Sequence, residues 1–293
     1  MTAAAGERVA LGDVALFVRR GGAGPGRERP LLLLHGFPEH SGAWRLVIEA
    51  LNGKRRWFAP DLRGYGWSDR PLGTAHYAVD ALVGDVAALI ETIGGPVDLV
   101  GHDWGGVLAW WTAIRRPALV HALTVCNAPH PAALQIALVE DPAQRAASQY
   151  MTRLRAADIA REFLTDPAAA WDAGMGRNPA LTAEDRDGYL AAWRQPGAVE
   201  AMVNWYRAAP FVVPAAGEEA DVPAWARDPE LRVRVPTTIL WGMDDTVLLP
   251  PLIAASAAWC DAVQVSEVVG AGHGVIHDAP HTVAAAILRL PPG

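Results

Sequence analysis

The stretch LVGHDWGGVLAW, residues 99–110, runs an apolar segment through Gly101-His102-Asp103-Trp104-Gly105-Gly106 straight into a helical pattern. A strand that passes into a helix over so few residues makes a tight elbow. The glycines let the chain crowd there, while the middle side chain stands clear above the sheet edge. The free N–H groups of the helix start lie behind that side chain and stabilise negative charge. Asp103 holds the middle position. Aspartate is also a favoured helix cap, so the stretch taken alone supports two readings, a cap or a nucleophile.

Outward from the elbow, strands and helices alternate. VALGDVALFVRR (9–20) reads as a β-hairpin turning at Gly12-Asp13. PLLLLHG (30–36) has four consecutive leucines stopped by glycine, the pattern of a strand buried on both faces. RRWFAPD (55–61) reads as another strand. Residues 77–94 place Val79, Leu82, Val83, Val86, Leu89, Ile90 and Ile93 at helical spacing, and Gly94 ends the run. Strand 96–103, helix 104–117 and strand 120–129 follow. This alternation predicts an α/β fold with a mostly parallel sheet. Residues 130–233 change rhythm and read as mainly helical, with irregular breaks at WDAGMGRNPALT and FVVPAAGEEADVP. Strand character returns at 235–245 and 262–270, each followed by a helix. The expected organisation is therefore a core, 1–129 and 234–293, interrupted by a helical cap, 130–233.

The composition suits a globular domain: 51% of the 293 residues are hydrophobic and 19% charged. A net charge of −7 with scattered arginines argues against a nucleic-acid or anionic-membrane surface. Cys126 and Cys260 make neither a disulfide framework nor a metal motif and read as buried thiols. MTAAAGERVALGD lacks the apolar core of a leader, and no apolar run approaches a membrane span, so a cytoplasmic protein is expected.

Two distant features bear on Asp103. ILWGMDDT ends a strand with the paired acids Asp244 and Asp245, and GAGHGVIHD places His273 in a glycine-flanked loop after the next strand. Nucleophile, acid and histidine then stand in that chain order, each beyond the C-terminal end of a parallel strand, where open α/β sheets bind ligands. LLLLHGFPEHSGAW leaves its strand through His35-Gly36-Phe37-Pro38. The Phe37 N–H there, with that of Trp104, suits an oxyanion hole, and Pro38 suits a cis peptide bond.

HGFP, DLRGYGWSDRP (61–71), GHDWGG, WGMDD and the late GH together resemble the α/β-hydrolase superfamily over nearly the whole chain. GHDWGG in particular resembles the epoxide hydrolases and their dehalogenase relatives. The resemblance implies the α/β-hydrolase fold, Asp103 as nucleophile, His273 as base and Asp245 as the orienting acid, since the family pattern W-G-x-x-D selects Asp245 over Asp244. The glycines and arginine of DLRGYGWSDRP are implied to shape the floor of the site. Chemistry agrees with aspartate in place of serine. A serine attacking a saturated carbon leaves an ether, whereas a carboxylate leaves an ester, whose carbonyl activated water attacks.

An epoxide oxygen needs acidic O–H groups, whereas a departing halide needs only N–H donors. In the epoxide hydrolases two cap tyrosines supply the former. NWYR aligns Tyr206 with the second of these motifs, and AASQYMTRLR offers Tyr150 for the first; Tyr189 is the other cap tyrosine. The indole of Trp104 beside the nucleophile is also what haloalkane dehalogenases use for halide. Those enzymes add an asparagine where this chain has Phe37, and haloacetate dehalogenases follow the nucleophile with an arginine where it has Trp104. Both departures favour an epoxide, with a haloalkane or haloacid dehalogenase second. A non-catalytic ligand-binding homologue is disfavoured because all three triad members are present. A small apolar substrate held by Phe37, Trp104 and Trp205 is expected. No cofactor is called for, nor a metal, since His35, His40, His102, His277 and His281 lack ligand spacing.

Overall fold

The structure, a computed structural model, describes residues 6–23 and 29–290. Residues 1–5, part of the opening stretch read above for a leader, lie outside the described residues. Eight strands form one sheet: β1 Gly6–Leu11, β2 Val14–Gly21, β3 Leu31–Leu34, β4 Trp57–Pro60, β5 Val97–His102, β6 Val120–Cys126, β7 Thr237–Gly242 and β8 Val263–Val268. Their order is β1-β2-β4-β3-β5-β6-β7-β8. The expected hairpin forms with Leu11 opposite Val14, so Gly12 and Asp13 make the turn, and β2 pairs antiparallel with β4. The pairings from β4 through β3 to β8 are all parallel. The sheet is thus mostly parallel, as the alternation predicts.

The four leucines of β3 show why such a strand needs no polar face. Leu32 and Leu34 enter the cluster on one side of the sheet, Leu31 and Leu33 the cluster on the other, and all four are fully buried. Each buried leucine contributes about 1.5–3 kcal/mol. The Val79–Ile93 helix packs Leu82, Val83, Val86, Leu89 and Ile90 inward and ends at Gly94, whose φ of 102° lies in the left-handed region. The Trp104–Arg115 helix is buried from Trp104 through Ala113. It comes so close to the sheet that a Cβ on Gly105 would lie 2.2 Å from the Leu34 carbonyl oxygen, and one on Gly101 2.4 Å from that of Gly105. Both glycines are therefore steric requirements of the elbow. Cys126 and Cys260 are buried free thiols.

In DLRGYGWSDRP the Asp61 carboxylate accepts the Ser41 and Trp67 N–H groups at 2.8 and 2.9 Å. The Arg63 guanidinium grips Asp85 through two bonds of 2.7 Å. Asp61 through Gly66 and Ser68 are buried, while Trp67 is exposed.

Between β6 and β7 the chain forms seven α-helices, from Pro131–Glu140 to Ala198–Ala208. Beyond Ala208 the helical reading gives way to extended chain with the short 3-10 turns Ala224–Arg227 and Pro229–Leu231, because residues 209–223 hold three prolines and few periodic apolar positions. The helices are punctuated by local caps: Asp141 and Asp166 accept first-turn N–H groups, and Thr182 with Asp185 forms a capping box. Polar ties fasten this layer to the core, among them Arg45 to Asp185 at 2.7 and 3.0 Å, the Trp193 indole to the Pro38 carbonyl at 2.6 Å, and the Trp205 indole to that of Arg63 at 3.0 Å.

Candidate active site

Asp103 ends the run from β5 with φ 50° and ψ −123°, and its side chain makes no capping bond to the helix behind it. The cap reading therefore falls away. A non-glycine residue held there carries strain, and such strain gathers at working sites. Its Oδ1 accepts the Phe37 N–H at 2.7 Å, and Oδ2 lies 3.4 Å from His273 Nε2. The turn that brings Phe37 over Asp103 contains the expected cis bond between Phe37 and Pro38. Trp104 follows as the first residue of the helix.

His273 stands in the loop after β8, and its Nδ1–H donates to Asp245 Oδ2 at 2.8 Å. Asp244, the neighbouring acid, is exposed. The Asp245 carboxylate also takes N–H bonds from Val247 and Leu248 at 2.8 and 2.9 Å and one from the Asn127 amide at 2.8 Å. Burial works against its charge, but the His273 charge and these donors outweigh it and hold the carboxyl below its ordinary range. For His273 burial favours the neutral ring. The Asp245 charge and the bond to Asp103 overcome this and lift its pKa to about 10.

Two groups near the site escape a reading of motifs. Asn127 sits at the end of β6 with φ 42° and is fully buried. Glu39, the residue after HGFP, is buried where the His277 Nε2–H donates to it at 2.7 Å and His102 Nδ1 lies 3.3 Å away. The His102 Nε2–H donates to the His273 carbonyl at 2.9 Å, so this cluster braces the loop that carries His273. Burial would raise the Glu39 pKa, yet the bonds from His102 and His277 keep it well below its ordinary value. An acid directly after the oxyanion turn is the one sequence signal for Glu39; Asn127 has only its place at a strand end beside the elbow's neighbour.

A tight pocket lies over the elbow, lined among others by Asp103, Trp104, Leu134, Tyr150, Tyr206 and Phe211. Both predicted tyrosines thus share one space with Asp103. Tyr206 meets the rings of Trp104 and Phe37 edge-on at 5.0 and 5.1 Å, and Tyr150 lies 6.2 Å from Tyr206. Burial and then the charges of Asp103 and Asp245 push the Tyr150 hydroxyl far up. Burial, Tyr150 and Asp103 do the same at Tyr206, with the Trp104 indole N–H pulling the other way. Trp205 lines a second apolar pocket together with Trp104 and Phe211, and its indole N–H is tied down to the Arg63 carbonyl. Tyr189 is turned from the cavity, packed on His40 and Trp171 with its hydroxyl 3.5 Å from Glu39. Among the described residues no group of three or more His, Cys, Asp or Glu side chains is placed to hold a metal ion.

A parallel sheet with a strained acid at its central elbow, a histidine and second acid on later strands and an inserted helical cap defines the α/β-hydrolase class. The α/β-hydrolase fold family profile matches residues 29–280. The AB hydrolase superfamily protein YfhM of Bacillus subtilis is 36% identical over 91% of this chain and 92% of its own. Human Epoxide hydrolase 4 is 32% identical over 76% of this chain, which spans 61% of that longer protein. A solved structure described under novel epoxide hydrolases from metagenomes of hot environments is 35% identical, covers 98% of each chain and superposes with a TM-score of 0.84. The chain belongs to the α/β-hydrolase superfamily and, within it, to the epoxide hydrolase family.

Proposed function

We propose that this chain hydrolyses a small apolar epoxide to a vicinal diol through an ester on Asp103. The observation that carries the reading is the shared pocket, which Asp103, Tyr150 and Tyr206 line together. Asp103 attacks a ring carbon and the C–O bond of the epoxide breaks onto its oxygen, which the tyrosines hold and protonate. The product is a hydroxyalkyl ester.

Forming that ester removes one of the two carboxylates that hold the His273 proton, since Asp103 and Asp245 both raise its pKa. The proton His273 then releases restores the hydroxyl of the tyrosine that protonated the alkoxide, and the ring becomes a base only once there is an ester to hydrolyse. Its Nε2 takes a proton from water, whose oxygen attacks the ester carbonyl. The Phe37 and Trp104 N–H groups hold the tetrahedral oxyanion. The bond from the carbonyl carbon to the diol oxygen then breaks, that oxygen takes the proton back from His273, and the Asp103 carboxylic acid passes its remaining proton to His273, restoring the resting pair.

Two assays test the reading. A panel of epoxides and haloalkanes is scored for diol and halide; halide release without epoxide turnover would instead establish a dehalogenase. With enzyme in excess in ¹⁸O-water, the diol of the first turnover is expected to be unlabelled, its new oxygen coming from Asp103. Immediate solvent label would rule out the ester.

A further inference from the structure

The Asp245 carboxylate accepts four hydrogen bonds, and one donor is a side chain with no assigned task. Asn127 points its amide at the oxygen that also receives the His273 proton: Asn127 Nδ2 and His273 Nδ1 both lie 2.8 Å from Asp245 Oδ2. The amide's orientation follows from its other bonds. Its Oδ1 accepts the Gly242 N–H at 2.8 Å, a bond only an oxygen accepts, which leaves the NH₂ end for Gly242 O at 3.3 Å and for Asp245. The side chain thus continues the β6–β7 ladder one rung past Cys126, where the regular pairing stops.

Reaching that rung has a cost. Asn127 is fully buried with φ 42°, in the left-handed region, while its backbone N–H stays bonded to the Leu240 carbonyl at 3.0 Å. The strain persists only because the surroundings over-determine it. A glycine would relieve the backbone, but no glycine supplies an amide.

We propose that Asn127 is a positioning residue for the base: it fixes which Asp245 oxygen faces His273 and fills that oxygen's second lone pair, so that the shared proton stays on the imidazole. This rests on the ester mechanism above. It assigns Asn127 to ester hydrolysis more than to ring opening, because hydrolysis is the step in which the His273–Asp245 pair takes a proton from water and returns it, whereas Asp103 and the tyrosines open the ring. The other ionisable groups facing that pair are Asp103 and His102 at the elbow, His102 with its ring 5.3 Å from that of His273, and Tyr150 from the cap.

The test separates the half-reactions by single turnover with enzyme in excess. Asn127→Gly suits φ 42° and removes only the amide. Its ring opening is expected within about twofold of the parent, while ester hydrolysis slows roughly 10–100-fold, the worth of a buried hydrogen bond to a charged group, and ester accumulates. Asn127→Asp gives a sharper signature. Its buried carboxyl, protonated at low pH, donates to Asp245 as the amide does; once ionised it repels Asp245 and strengthens the hold on the His273 proton. Hydrolysis by this variant is expected to fall with rising pH, where that of the parent rises. A substrate-free readout is the low-field proton resonance of His273 Nδ1–H, expected to move in both variants. Equal slowing of both half-reactions in the folded Asn127→Gly protein, hydrolysis left unchanged, or an unmoved resonance would each overturn the assignment. Failure of the parent to consume any epoxide overturns the proposed function instead, and the resonance still decides the role of Asn127.

Discussion

On the floor of the cavity the polar groups are held by hydrogen bonds to a rigid frame. Asp103 is fixed by the Phe37 N–H at 2.7 Å, and Asp245 by two backbone N–H groups, an amide and an imidazole at 2.8–2.9 Å. On the roof, Tyr150 and Tyr206 stand among ring edges, with centroids 5.0–6.2 Å from Trp104, Phe37 and each other. The floor is a preorganised electrostatic device whose members have one working position each. The roof is an apolar wall with two hydroxyls set in it. Loss of a floor group should stop a chemical step, whereas loss of a roof hydroxyl should slow one.

The largest effect is expected at Asp103. On the proposed mechanism Asp103→Ala removes the nucleophile, so no ester should form and diol production should fall below detection; mass spectrometry of the quenched protein checks for the adduct. Next is His273→Gln, which keeps Asp103 and the tyrosines. Ring opening should proceed once per molecule and stop, with hydrolysis reduced by about 10²–10⁴, the usual range for a general base. A catalytic turnover near the parent rate would refute the role given to His273. In the parent, His273 holds its proton up to about pH 10 while Asp103 is charged. Hydrolysis of the preformed ester should therefore rise with pH and reach half its maximum below pH 10, since one of the two carboxylates has been neutralised. A midpoint above that of the resting protein would reverse the order proposed for the two steps.

How much of this could be read from the chain differs between floor and roof for a physical reason. The elbow, β3 and the late GH loop announce themselves because glycines, leucine runs and strand ends carry short-range signals, and these single out Asp103, Asp245, His273 and the Phe37 turn, which the fold brings together. Tyr150 and Tyr206 needed a resemblance, since nothing in AASQYMTRLR or NWYR dictates which way a cap helix faces. Trp205, beside Tyr206 in sequence, turned out to line the neighbouring cavity: successive helix residues point about 100° apart, and its indole is held by the Arg63 carbonyl. Glu39 and Asn127 were missed because buried polar groups have no periodicity. Their meaning lies in partners distant in the chain, His277 for the one and Asp245 for the other.

Tyr206→Phe tests the roof. The ring edges against Trp104 and Phe37 remain, so the fold and cavity should hold while one donor to the epoxide oxygen is lost. Ring opening is expected to slow about 10²-fold, with Tyr150 still donating, and hydrolysis of the ester to stay unchanged. Quenching of Trp104, whose ring lies 5.0 Å from Tyr206, offers a stopped-flow signal. Equal loss in both half-reactions would mean that Tyr206 shapes the floor as well.

The smallest effect is expected where roof meets floor. Arg45 binds Asp185 with two bonds, yet its side chain is 35% exposed, so solvent screens the pair. Arg45→Ala should cost no more than about 1 kcal/mol in unfolding free energy by urea titration. Both half-reactions should stay at the parent rate, because the Trp193 and Trp205 indoles still anchor the cap through backbone carbonyls of the core. Neither of those two bonds involves a charge, so salt should leave them untouched while weakening the Arg45 pair. If ring opening in the variant instead became salt-sensitive or slowed with hydrolysis unaffected, the ion pair would be setting the height of the tyrosines over Asp103. The roof would then depend on electrostatics as the floor does.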